Sequence, residues 1–123
     1  MVKGYLMKVE KLLRKQLEKD LENFPVWLIK YDIEESQTWE ELNKTIKNTA
    51  IDNIEIKKKM EKITKVLSFQ DQETQKIINE YYFKNLKSRE EIIKELNISK
   101  NYFYRVKNKA LIKLALALGH MEE

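Results

Sequence analysis

Cysteine is absent from this chain of 123 residues, and with it go disulfides, cysteine-ligated zinc and a thiol nucleophile. A single histidine, His120, leaves any histidine-based metal site to rest on carboxylates, so neither a metal nor another cofactor is expected. Glycine occurs twice and proline once, so nothing resembles a Gly-rich phosphate loop. A chain that is 42% hydrophobic and 36% charged with so few helix breakers is expected to be an all-α domain rather than a disordered one. Long hydrophobic runs are missing as well: the uncharged stretch Leu114–His120 falls far short of the ~20 apolar residues that cross a bilayer. The Lys-rich start carries no continuous apolar segment with a small-residue cleavage site, which argues against a secretory signal. No membrane partner and a cytoplasmic location are the expectations, and the length suits about one domain.

What charge there is lies unevenly. Residues 1–50 hold nine basic and nine acidic side chains, residues 51–85 seven and six, and residues 86–123 eight and five, so the net +4 gathers toward the C-terminal end. Within that end, Ser99–Lys113 carries Lys100, Arg105, Lys107, Lys109 and Lys113 and no acid, a local surplus of the kind that neutralises phosphates.

Apolar residues at Tyr5, Leu6, Val9, Leu12, Leu13, Leu17, Leu21 and Phe24 recur three and four apart, which predicts an amphipathic helix over residues 1–24. Pro25 should stop it, because proline donates no backbone hydrogen bond and disfavours helical geometry in the residue before it. The near-heptad seam then packs on the rest of the chain or pairs with a second copy, and a homodimer is expected. Residues 25–50 read as a connector, with one short helix from Trp39 to about Lys47 capped by Thr38 and Glu41. Trp27 and Trp39 read as packing anchors rather than stacking platforms. From Ile51 the helical period returns through Ile56, Met60, Ile63 and Leu67, and Asp71 can cap a further helix with Ile77, Ile78, Tyr81 and Tyr82 on its apolar face, closing at Lys84-Asn85. Residues 51–123 thus form the expected C-terminal domain.

The most informative stretch is Ser88–Leu114. Ser88 with Glu91 is a capping box that opens a helix of about two turns, buried through Ile92, Ile93 and Leu96. Asn97 stands where the chain must turn sharply and tolerates the left-handed conformation second only to glycine, and Ile98 plugs the turn. Ser99 caps the next helix, whose buried stripe is Phe103, Val106, Ala110 and Leu114. Two short helices with a tight turn between them, the second one basic, form a helix-turn-helix, the motif that lays its second helix in the DNA major groove. Asn101, Tyr104, Arg105 and Asn108 are expected outward, where Arg can pair with guanine and Asn with adenine. Lys100, Lys107 and Lys109 are expected on the flanks, facing phosphates, and Tyr102 is a further phosphate donor. Double-stranded DNA is the partner these residue types suit.

Leu67–Leu114 resembles region four of bacterial sigma factors, through Tyr81-Tyr82-Phe83, Ser88-Arg-Glu-Glu-Ile-Ile, Leu96-Asn-Ile-Ser and Lys109-Ala110-Leu111. Over most of its length the chain is similar to the small phage and prophage late-transcription regulators of the RinA and ArpU type, with Ser99-Lys-Asn-Tyr-Phe-Tyr-Arg and the Ala-Leu-rich tail Ala110–Gly119 fitting their pattern. The resemblance implies an N-terminal helix and helical connector before a sigma-region-four-like helix-turn-helix, and an activator of phage or prophage late genes that binds its promoter, with RNA polymerase as a further candidate partner. Ile93 stands where sigma-like motifs usually carry Ala, and Asn97 where Gly is more common; the first implies a wider crossing of the two helices.

Two other DNA- or protein-binding roles fit the same pattern: a small terminase subunit of a phage packaging motor, and an interaction protein that binds polymerase or another regulator without reading DNA. Catalysis is not expected. Glu34-Glu35, Glu40-Glu41 and Glu90-Glu91 are sequence neighbours, which on a helix diverge by ~100° and cannot converge on one substrate. His120 has no metal-ligand spacing around it and reads as incidental.

Overall fold

The computed structural model describes residues 2–121, with side-chain environments for residues 11–121. The described residues form α-helices and no strand: α1 (Val2–Lys30), α2 (Trp39–Asn48), α3 (Ile54–Ser68), α4 (Gln72–Ile78), a π-helical continuation over Asn79–Lys84, α5 (Arg89–Leu96) and α6 (Lys100–Leu118). No helix among them is long and apolar enough to cross a membrane.

Helix α1 does not stop at Pro25 but runs through it for another turn and more, to Lys30. The missing backbone donor and the ring clash cost ~3 kcal/mol. Against that, the buried stripe Leu17, Leu21, Phe24 and Leu28 continues unbroken across the proline, each residue 4% exposed or less. One further leucine fully buried contributes ~1.5–3 kcal/mol, and Trp27 and Tyr31, packed against the same core, add to it. Residues Leu6 and Val9 of the seam lie outside the described side chains. The chain leaves α1 through Asp32 in the left-handed region at φ 55°, and Ile33 folds back into the core.

The segment expected as a connector is part of the packed interior. Leu28, Ile33, Leu42 and Ile46 share one hydrophobic core with Leu17, Leu21, Phe24, Met60, Ile63, Leu67, Ile78, Tyr82 and residues of α6. Trp39 closes one corner of it, 5.5 Å from Phe83 and 6.1 Å from Phe24 between ring centroids. Thr38 caps α2 by accepting from the Glu41 amide at 3.2 Å, and Asn43 of α2 donates to the Glu61 carbonyl of α3 at 2.8 Å. The described part of the α1 seam is therefore largely occupied within the chain. Leu17, Leu21 and Phe24, expected at a dimer contact, face α3, α6 and the π-helical turn, and among the described seam residues only the half-buried Leu13 is left beside them.

A second cluster of Ile77, Ile92 and Phe103 forms the interior of the C-terminal helices. Tyr81 packs against both cores and joins them. The π-helical turn that carries it closes with the Asn85 amide donating to the Glu80 carbonyl at 3.2 Å.

Helices α1 and α6 lie side by side and run in the same direction. Arg14 meets Asn108, Leu17 faces Leu111 and Ala115 across a shared groove, and Asp20 meets His120, so residue numbers rise together along both helices. His120, read from the sequence as incidental, has a definite partner. Gly119 adopts φ 78° and turns the tail back, and the Nε2 atom of His120 comes within 2.7 Å of the 5%-exposed Asp20, which also pairs with Lys59 of α3 at 3.1 Å.

Candidate nucleic-acid interface

The helix-turn-helix is built by its caps. Ser88 Oγ accepts from the Glu91 amide at 3.2 Å, and the Glu91 carboxylate accepts in return from the Ser88 amide, fixing the start of α5. Asn97 takes φ 55° and ψ 48°, the left-handed geometry that reverses the chain after α5. The amide of Ile98 then bonds back to the Ile93 carbonyl at 3.2 Å, satisfying the helix end. Two residues after Asn97, Ser99 accepts from the Tyr102 amide at 3.0 Å and starts α6. Phe103, fully buried, locks α6 against α4 and α5; Tyr81 meets its ring edge-on at 5.7 Å. Lys87 ties the motif to the preceding helix, 2.7 Å from Glu95 and 3.6 Å from the buried Glu80.

On α6 the outward face belongs to Asn101 and Arg105, both exposed, with Ile112 two turns farther along at 51% exposure. The Arg105 guanidinium rests 5.4 Å from the centroid of the Tyr102 ring, on the exposed side of α6. Lys100 and Lys109 are exposed as expected. Tyr102 is half-buried and leans toward α4, where the Glu73 carboxylate beside its hydroxyl pushes its pKa up. Lys113 reaches the same side, 3.2 Å from Gln70.

Besides Tyr102, three of the expected contacts are placed differently. Tyr104 is half-buried, with Arg89 of α5 bonding its hydroxyl and lying 5.4 Å from its ring centroid. Asn108 is half-buried and its Oδ1 accepts from Arg14 of α1 at 3.3 Å. Lys107 is the clearest departure: it is 7% exposed, and its amine sits 4.9, 5.3 and 5.9 Å from the ring centroids of Tyr104, Tyr81 and Phe103. The reason is helical phase, since residue 107 lies four after Phe103 and so falls on the buried side of α6. Burial in the aromatic corner, with Arg14 nearby, holds its pKa below the usual lysine value. The rings supply cation–π attraction of ~0.5–2 kcal/mol in place of a carboxylate.

The reverse omission is Arg14 and Arg89. Both lie beside α6, although α1 and the first turn of α5 carry them. Arg89 follows the cap Ser88 and could have been marked from that position. Nothing in the periodicity of α1 says that Arg14 meets a residue 94 positions away.

No family model, no curated protein and no solved structure matches this chain.

Proposed function

We propose that this chain is a sequence-specific DNA-binding transcription regulator that reads the major groove with α6, and that it is an activator of phage or prophage late genes of the RinA and ArpU type. The observation that carries the reading is the exposure of Asn101 and Arg105 on the first two turns of a capped helix that has no acid from Ser99 to Lys113. In a helix-turn-helix those turns approach the base edges. Arg105 can pair with O6 and N7 of guanine and Asn101 with N6 and N7 of adenine, and the exposed Lys100 and Lys109 can neutralise phosphates. Burial of Phe103, Ile92 and Ile77 supports the role of α5 and α6 as one rigid reading head.

A homodimer through α1 would have to use the part of the seam before Leu17, because Leu17, Leu21 and Phe24 already pack in the core. A protein-binding role without DNA readout draws on a different observation, a groove of about 350 Å³ between α1 and α6 with Leu13, Leu17, Leu111 and Ile112 among its walls. Fluorescence anisotropy with the duplex upstream of its own gene and a scrambled duplex separates the two. DNA recognition predicts tighter binding to the first by a factor on the order of 10³ or more, with affinity falling steeply as salt rises. Binding to neither duplex favours the protein-binding role, and a ring-sized assembly in light scattering favours a packaging subunit.

A further inference from the structure

Around Tyr104 the fold gathers cations from three separate helices. Arg14 comes from α1, Arg89 from the first turn of α5, and Lys107 from α6 itself. Lys107 is the unusual member: 93% of its side chain and backbone surface is removed from solvent, and among the described residues no carboxylate lies within ion-pair distance of its amine. A buried ammonium ordinarily has an anionic partner, and aromatic rings replace only part of the lost hydration. Glu18 and Glu90 are the carboxylates that face this junction, and Arg89 is paired with Glu90. Among the described residues Arg14 is exposed and makes only a neutral bond, to the Asn108 amide oxygen. The described side chains of the junction, three cations against two carboxylates, therefore leave a positive surplus.

Its position also matters. Going round α6 from Arg105, the surface passes through Asn108 and Tyr104 before it reaches the buried side. The junction is thus one flank of the reading face, where a sugar-phosphate strand runs when the helix lies in the major groove. The opposite flank, with Lys109 and Lys113, is shared with Asp71, which caps α4, and Glu73 within it, which weaken its pull on an anion.

We propose that Arg14 and Arg89 bind a phosphodiester of the DNA backbone at this junction, with the Lys107 ammonium behind them strengthening the field, so that the N-terminal helix is part of the DNA-binding surface. The exposed Arg14 guanidinium suits the task, since it can offer parallel N–H donors to the anionic oxygens, while Arg89 would exchange its exposed pairing with Glu90 for the phosphate. Helix α1 acquires by this a second role besides its core packing: it carries one wall of the phosphate site, held in place by the Arg14–Asn108 bond. The inference rests on the DNA-reading role of α6.

The test is the salt dependence of duplex binding for wild type, Arg14→Gln and Arg14→Lys, followed by anisotropy on the upstream and scrambled duplexes. Arg14→Gln keeps a donor for Asn108 and removes the charge, so its melting temperature should match wild type. Its affinity should fall about tenfold on both duplexes, as expected for one lost charge-assisted bond, and its slope of log K against log salt should become shallower by about 0.9. Arg14→Lys should recover most of the slope. An Arg14→Gln slope equal to that of wild type, in a protein that still discriminates the two duplexes, overturns the phosphate site and leaves the reading of α6 standing. Wild type that binds no duplex overturns both.

Discussion

Phe103 and Lys107 are one helical turn apart and point into the same aromatic corner, yet one brings apolar surface and the other a charge. Phe103 is wholly enclosed by Ile77, Ile92 and Tyr81, so truncation leaves a hole that capped helices close only by moving. Phe103→Ala should lose ~3–5 kcal/mol, read as a fall in the urea midpoint, and with it DNA binding. A variant melting like wild type would show that the stripe has been placed on the wrong side of α6. The Tyr82 hydroxyl is buried near Glu18 in the same region, and burial raises its pKa. Phe103 could be assigned to the core from spacing alone. Lys107 could not, because residue type outweighed phase: a lysine is nearly always at the surface, and only the surrounding rings of Tyr81 and Tyr104 make its burial tolerable.

Elements with strong local chemistry follow their sequences closely. Thr38, Asp71, Ser88 and Ser99 each accept the amide they were expected to cap, and Asn97 takes the left-handed turn. Caps depend on residues three apart, so they are legible without knowledge of the fold. Pro25 shows the converse, since its local preference is overruled by burial of Leu28, a matter of tertiary contact. The π-helical turn at Asn79–Lys84 likewise leaves no local signature. Asp71 offers a test at this scale. Its carboxylate accepts from the Thr74 amide at 2.7 Å, and that bond holds its pKa below the usual value. A depressed folded pKa stabilises the fold above the ordinary carboxylate pKa, and the contribution disappears as pH falls through the folded value. Asp71→Ala should therefore cost ~1 kcal/mol at pH 7 and progressively less in acid, with thermal melts at a series of pH values as the measurement. A cost that stays constant down to the acid limit would contradict the charge-assisted cap.

At the scale of the molecule, α1 decides how the parts belong together. It packs on α3, on the π-helical turn and, running parallel, on α6, and His120 closes the far end against Asp20. Sequence periodicity identified the seam but not its partner, because an apolar stripe looks the same whether a second copy or the same chain covers it. Leu17→Glu distinguishes these: with Leu17 2% exposed inside the core, the variant should unfold by circular dichroism rather than remain folded while dissociating a dimer. A folded, monomeric Leu17→Glu from a dimeric wild type would restore the intermolecular seam. The helix-turn-helix that α1 braces presents Arg105 and Lys109 at its surface. The most direct measurement of the DNA-reading claim is the affinity of Arg105→Ala and Lys109→Ala for the upstream and scrambled duplexes across a range of salt. If α6 reads bases, Arg105→Ala loses ~1–3 kcal/mol on the upstream duplex and much less on the scrambled one, whereas Lys109→Ala weakens both equally and flattens the salt slope by about 0.9. Equal losses on both duplexes for Arg105→Ala, or none for either variant, would contradict it.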